Sequence, residues 1–202
     1  GYPSVTLPTD NPMTEQGILL GRKLFFDPIL SADSSQACAS CHLAEHGFTD
    51  GNAVSLGIDG IAGTRSSMSL VDLAYVRSGL FWDGRVATLE EQALIPVEDP
   101  IEMHHSWPEV IEDLKNHPEY PRLFREAFGI NTKSEITKEL AAKSMAQFER
   151  TILSSGQSKY DRFIREEAYL NASELRGFIM FFNHESEVQS ANLPDAECSH
   201  CH

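Results

Sequence analysis

Apolar residues in this chain recur mostly at three- and four-residue intervals, with short polar breaks between the runs. ITKELAAKSMAQFERTIL at 136–153 is the clearest case, with Ile136, Leu140, Met145, Phe148 and Ile152 along one side of an amphipathic helix. TEQGILLGRKLFFD at 14–27 predicts a second helix, capped by Thr14, with Ile18, Leu19, Phe25 and Phe26 on a buried face. SELRGFIMFFN at 173–183 reads the same way, with Ser173 as its N-cap. Thr88 and Glu91 form a capping box ahead of a short helix. Ser106, Pro108 and Glu109 open another, and helical patterns fill 119–128 and 159–168. Residues 51–67, rich in Gly and Ser, read as a loop, and no alternating pair of runs carries a tight hairpin signal. The predicted fold class is mainly α with long loops.

Two of these helices share more than a period. Gly21 is followed by Phe25-Phe26 and Gly177 by Phe181-Phe182, and each stretch precedes a Cys-x-x-Cys-His unit: CASCH at 38–42 and CSHCH at 198–202. A paired helix and a paired motif argue for duplication.

All four cysteines fall in these units. Two disulfides would leave the histidine after each pair unexplained, and short C-x-x-C loops are usually catalytic. Zinc uses Cys and His at short spacing, but Cys41 and Cys198 lie much farther apart than zinc pairs usually do. Covalent haem attachment explains every residue: two thiols bond the vinyl groups on one porphyrin edge, and the following imidazole sits beneath the iron. The expected cofactors are two covalently bound haem c groups, one on Cys38, Cys41 and His42, the other on Cys198, Cys201 and His202. The chain is then two cytochrome c-like haem modules: an N-terminal arm at 1–13, a first haem domain at 14–165, and the start of a second at 166–202. The second is apparently truncated, and the rest of its pocket is expected outside this chain.

Composition adds limits. A net charge of −14 without Lys/Arg clustering offers no nucleic-acid footprint; it suits solubility, or an acidic face toward a basic redox partner. No apolar run approaches 18 residues, so no membrane span is expected. GYPSVTLPTD lacks a basic segment followed by an apolar one, which fits a chain whose signal peptide has been removed.

GLFWDGRVATLEEQALIPVEDPIEM at 79–103, together with both Cys-x-x-Cys-His units and FTDG at 48–51, resembles the bacterial di-haem cytochrome c peroxidase family, which includes the MauG-like enzymes. The resemblance runs over residues 14–202. It implies a peroxidatic first haem, Glu102 as the distal acid that moves protons between peroxide oxygens, Gln92 as a polar distal neighbour, and Trp82 as an electron relay between the haems. The second haem would admit electrons. Without the resemblance Glu102 reads as a surface acid and Trp82 equally as core packing or as a relay; Arg85 reads equally as a partner of Asp83 or of a haem propionate.

The implied activity is reduction of hydrogen peroxide to water in the periplasm, fed by a small cytochrome c or cupredoxin. The alternatives are MauG-like oxidation of side chains on a partner protein and a non-enzymatic electron carrier. The resemblance also allows a homodimer, and calcium between the domains, where Arg65-Ser66 stands in place of the family's Arg-Asn pair. Members that need reductive activation carry a histidine in the loop after the first haem. Here 51–67 has none, the comparable place being near Asp59, so the first haem is expected to be five-coordinate or water-bound and active without pre-reduction. His46, His104, His105, His117 and His184 read as surface residues, and His200 as a spacer.

Overall fold

The computed structural model describes residues 4–182 and 198–200. The chain falls into two compact units that part after Leu153. Among the described residues there is no strand; three isolated bridges, Leu43 with Thr49, Leu56 with Ala62 and Leu80 with Val86, close the long loops. The mainly α class is therefore found.

The first unit holds α1 (Glu15–Phe26), α2 (Cys38–Cys41), α3 (Leu89–Gln92), α4 (Ile95–Glu98), α5 (Trp107–Asn116), α6 (Tyr120–Phe128) and α7 (Lys138–Glu149). Thr14 caps α1, its Oγ1 accepting from Gly17 N at 3.0 Å. The face buried by α1 is Leu20, Leu24 and Phe25, while Leu19 is 55% and Phe26 47% exposed. This corrects the expected face. Gly17 and Gly21 turn that side of α1 onto α7 at very short range: a Cβ on Gly21 would stand 1.9 Å from Ser144 O. Only a glycine admits that crossing.

α7 is no one-sided amphipath. From Ser144 to Arg150 every residue is buried, because α1, α3 and α6 all pack against it. Most of its buried polar groups are satisfied by a network, Glu149 Oε2 being an exception among the described residues. Gln147 Nε2 donates to Asn11 Oδ1 at 2.8 Å, Asn11 Nδ2 donates to Lys143 O at 3.1 Å, and Arg150 grips Glu90 through Nη1 at 2.8 Å and Nη2 at 2.9 Å. Asn11 thus pins the N-terminal arm onto α7. The main apolar core lies between α1, α5, α6 and α7, around Leu24, Leu114, Phe124 and Met145. A second cluster gathers Phe25, Leu70, Phe148 and Ile152, and Cys38 packs on both.

The other unit holds α8 (Lys159–Ile164) and α9 (Ala172–Phe182). α8, which the sequence grouped with the first haem domain, packs on α9 through Phe163 and Phe178, whose ring centroids lie 5.4 Å apart, and through a Lys159–Glu174 ion pair. The N-cap of α9 is Asn171, not Ser173: Asn171 Oδ1 accepts from Ser173 N at 2.9 Å and Glu174 N at 3.0 Å. An amide side chain one residue before the helix reaches both orphan donors, and the helix starts earlier than its serine suggested.

Candidate functional site

α2 is a single turn, and it presents Cys38 and Cys41 to a cavity of about 430 Å³ in the first unit. Phe25, Leu70, Leu80 and Met145 give the cavity apolar walls. His42 follows α2 directly and lines the same space. Its Nδ1 lies 2.9 Å from Phe48 O. A protonated Nδ1 donating there leaves Nε2 as the atom able to bind a metal. Burial holds the His42 imidazole below its ordinary titration range, the neutral form a ligand must have.

The thiols behave in the opposite way from a redox-active C-x-x-C. Burial, with the nearby Glu149 carboxylate, pushes Cys38 up to about 12, and burial with Asp50 pushes Cys41 to about 11. A catalytic pair needs a depressed value. Among the described residues no group of three or more His, Cys, Asp or Glu side chains is disposed to hold a metal ion, so neither the zinc alternative nor calcium gains support. Two thiols and one oriented imidazole at an apolar cavity of this size fit a porphyrin held by two thioethers.

A further part of the cavity wall comes from a turn at 99–104. Glu102 N donates to Asp99 O at 3.1 Å, Glu102 O accepts from Ile58 N at 2.9 Å, and Met103 O accepts from Ala32 N at 3.0 Å. A Cβ on Gly57 would meet Ile101 O at 1.7 Å, so the 51–67 loop is pressed against this turn. The backbone of Glu102 is held from both sides while its carboxylate borders the cavity. Desolvation, reinforced by Asp99 and opposed by Arg85, raises the Glu102 carboxyl above its usual range. Gln92, the last residue of α3, borders the same space.

Trp82 also lines the cavity. It is 59% exposed rather than core, and its Nε1 donates to Ser66 O at 2.9 Å. Arg85 pairs with Asp83 at 2.9 Å and lies over the Phe81 ring at 3.6 Å from its centroid. Asp83 also binds Arg65, at 3.2 Å. Cys38, Cys41, His42, Trp82, Arg85, Gln92 and Glu102 therefore meet at one cavity. Cys198 lies in the other unit, and Cys201, His202 and His184 lie outside the described residues. His42 is the only histidine in the cavity lining among the described residues. His105 is turned instead toward Asp113, 3.3 Å away, and Glu109.

Sequence reasoning missed Glu149, a buried carboxyl of the cavity wall. The sequence offered no clear signal for it, since a Glu-Arg pair at the end of an amphipathic helix reads as solvated.

Comparison with known proteins gives the family. Residues 15–169 match the family model described as di-haem cytochrome c peroxidase. The methylamine utilization protein MauG of Methylorubrum extorquens is 37% identical over 179 residues, which are 88% of this chain and 50% of that protein. The cytochrome c peroxidase Ccp of Escherichia coli is 32% identical over 202 residues, 99% of this chain and 40% of its own. A crystal structure of a MauG-like protein associated with microbial copper homeostasis superposes with a TM-score of 0.80 at 34% identity, covering 94% of this chain and 55% of that one. The chain spans about half the length of the curated relatives it matches.

Proposed function

This chain belongs to the di-haem cytochrome c peroxidase family, and from that premise we propose that it reduces hydrogen peroxide to water, with two electrons and two protons consumed per peroxide. The observation that carries the reading is the confluence of Cys38, Cys41, His42, Gln92 and Glu102 on one cavity. In this reading Cys38 and Cys41 hold the first haem covalently and His42 Nε2 ligates its iron. When bound, that haem would supply the redox chemistry that reduces peroxide.

The protein's own groups handle protons and position. Glu102 accepts the proton of the incoming peroxide and returns it to the departing oxygen; burial raises its titration range, which favours holding that proton in transit. Gln92 orients the peroxide by hydrogen bonding. The apolar wall of Phe25, Leu70, Leu80 and Met145 keeps bulk water from the bond being cleaved. Trp82, open and fixed by Ser66, relays electrons toward the cavity, and Arg85 steadies a haem propionate from the cavity rim. Cys198, Cys201 and His202 hold the second haem, where electrons enter from a small cytochrome c or cupredoxin in the periplasm. No helix among the described residues is long and apolar enough to cross a membrane.

A second reading is oxidation of side chains on a partner protein, favoured by the identity to the methylamine utilization proteins. Rapid mixing of the purified holoprotein with peroxide tests the proposal. Catalytic peroxide consumption with a reduced cytochrome or cupredoxin is expected. No consumption would leave an electron carrier, and oxidation of a partner's side chains in place of a soluble donor would select the second reading.

A further inference from the structure

Glu149 closes α7 and lines the cavity, yet it has no part in the chemistry above. It is 4% exposed, and its Oε2 is buried without a hydrogen-bond partner among the described residues. Burying a carboxylate without a partner is expensive. The adjacent Arg150 does not relieve it, because that guanidinium is committed bidentately to Glu90. The charged and titratable groups around Glu149 are Arg150 on α7, Glu90 on α3 and the Cys38 thiol on α2; Glu102, on the 99–104 turn, acts on the same thiol. Desolvation and Glu90 push the Glu149 carboxyl up to about 8 against the pull of Arg150.

Two carboxyls thus border one cavity in unlike settings. Glu102 is exposed toward the open space, whereas Glu149 is enclosed by protein. A buried carboxyl beside the haem attachment edge feels charge added to the haem strongly, because little water screens it.

We propose that Glu149 is a second proton-holding group of this cavity, taking up one proton when the haem held by Cys38 and Cys41 receives an electron and releasing it when that electron leaves. This rests on haem attachment at those thiols. The exchange balances: a one-electron donor reduces the ferric haem, one solvent proton bonds to the Glu149 carboxylate, and the net charge of the cavity is unchanged. Arrival of an electron is thereby made easier at low pH.

Spectroelectrochemical titration of the holoprotein between about pH 6 and about pH 10 tests the assignment. The wave of this haem is identified by its loss in a Cys38→Ala, Cys41→Ala variant. Its midpoint potential is expected to fall as pH rises through the region near 8, to lose that slope in Glu149→Gln, and to keep it in Glu102→Gln. Redox-difference infrared spectra of the unmodified protein, which do not depend on a variant folding, should gain a protonated-carboxyl band on reduction that shifts in D2O. A slope retained in Glu149→Gln, or no carboxyl band in the unmodified protein, overturns the proposal. A negative pyridine haemochrome assay would instead remove the haem reading beneath it.

Discussion

His42 Nδ1 lies 2.9 Å from the backbone oxygen of Phe48, a residue held at φ 59°. A bulky side chain rarely adopts that left-handed backbone, and the conformation costs on the order of 1–3 kcal/mol. Phe48 tolerates it because its ring packs edge-on against Phe25, 6.4 Å between centroids. The bond fixes which imidazole nitrogen faces the cavity, so the local strain is tied to the orientation of the proposed iron ligand.

Glu102→Gln should remove the proton carrier and leave the cavity shape intact. Peroxide turnover is expected to fall about 10²- to 10⁴-fold. Covalent haem content, measured by pyridine haemochrome, should not change. Turnover within about threefold of the unmodified protein, well short of that range, would assign the proton transfer elsewhere.

His42 is the only histidine in the cavity lining among the described residues. The oxidised protein is therefore expected to show a high-spin component from the first haem, and peroxide should be consumed without prior reduction. Electron paramagnetic resonance of the as-purified protein decides; two fully low-spin haems would contradict it.

Gly21→Val tests the helix crossing. Its Cβ would fall inside the Ser144 carbonyl, so α1 and α7 must separate. Destabilisation of about 3 kcal/mol or more is expected by urea denaturation, at the upper end of overpacking costs. Gly129→Ala makes a useful comparison: a Cβ there meets nothing within 4 Å, and the cost comes only from its φ of 68°.

Glu149 also predicts how stability varies with pH. Its proton is held more tightly in the folded protein, to about 8, than at the ordinary 4.5. The folded state carries the extra proton between those values. Stability should therefore fall as pH rises from about 4.5 to about 8 and level off above, by up to about 1.4 kcal/mol per pH unit. Glu149→Gln should flatten the curve and be the more stable protein at about pH 8.5. An unchanged slope in chemical denaturation would show that another group carries it.

Much of the site was legible because its chemistry is compact in sequence: Cys38, Cys41 and His42 fall within the five residues 38–42, and one helical turn aims both thiols. Trp82, Gln92 and Glu102 were legible only through resemblance. What brings them to the thiols is a set of turns with left-handed residues at Phe81 and His104 and a glycine contact between loops at Gly57, none of which leaves a periodic trace. Helix existence followed from the apolar spacing, while the buried face of α1 did not, since glycine contributes nothing to a hydrophobic pattern and yet decides which side meets α7. Glu149 was invisible for a related reason. A Glu-Arg pair on a helix reads as solvated, and only packing by three other helices makes it interior.

The wall that Met145 and Glu149 give the cavity is synthesised more than a hundred residues after Cys38. A chain made from its N-terminus has α2 long before it has that wall. In the finished fold the two thiols ionise only near 12 and 11, against an ordinary 9.0. Chain order therefore opens an interval in which both sulfurs are reachable and nearer their ordinary range, and the docking of α7 ends it.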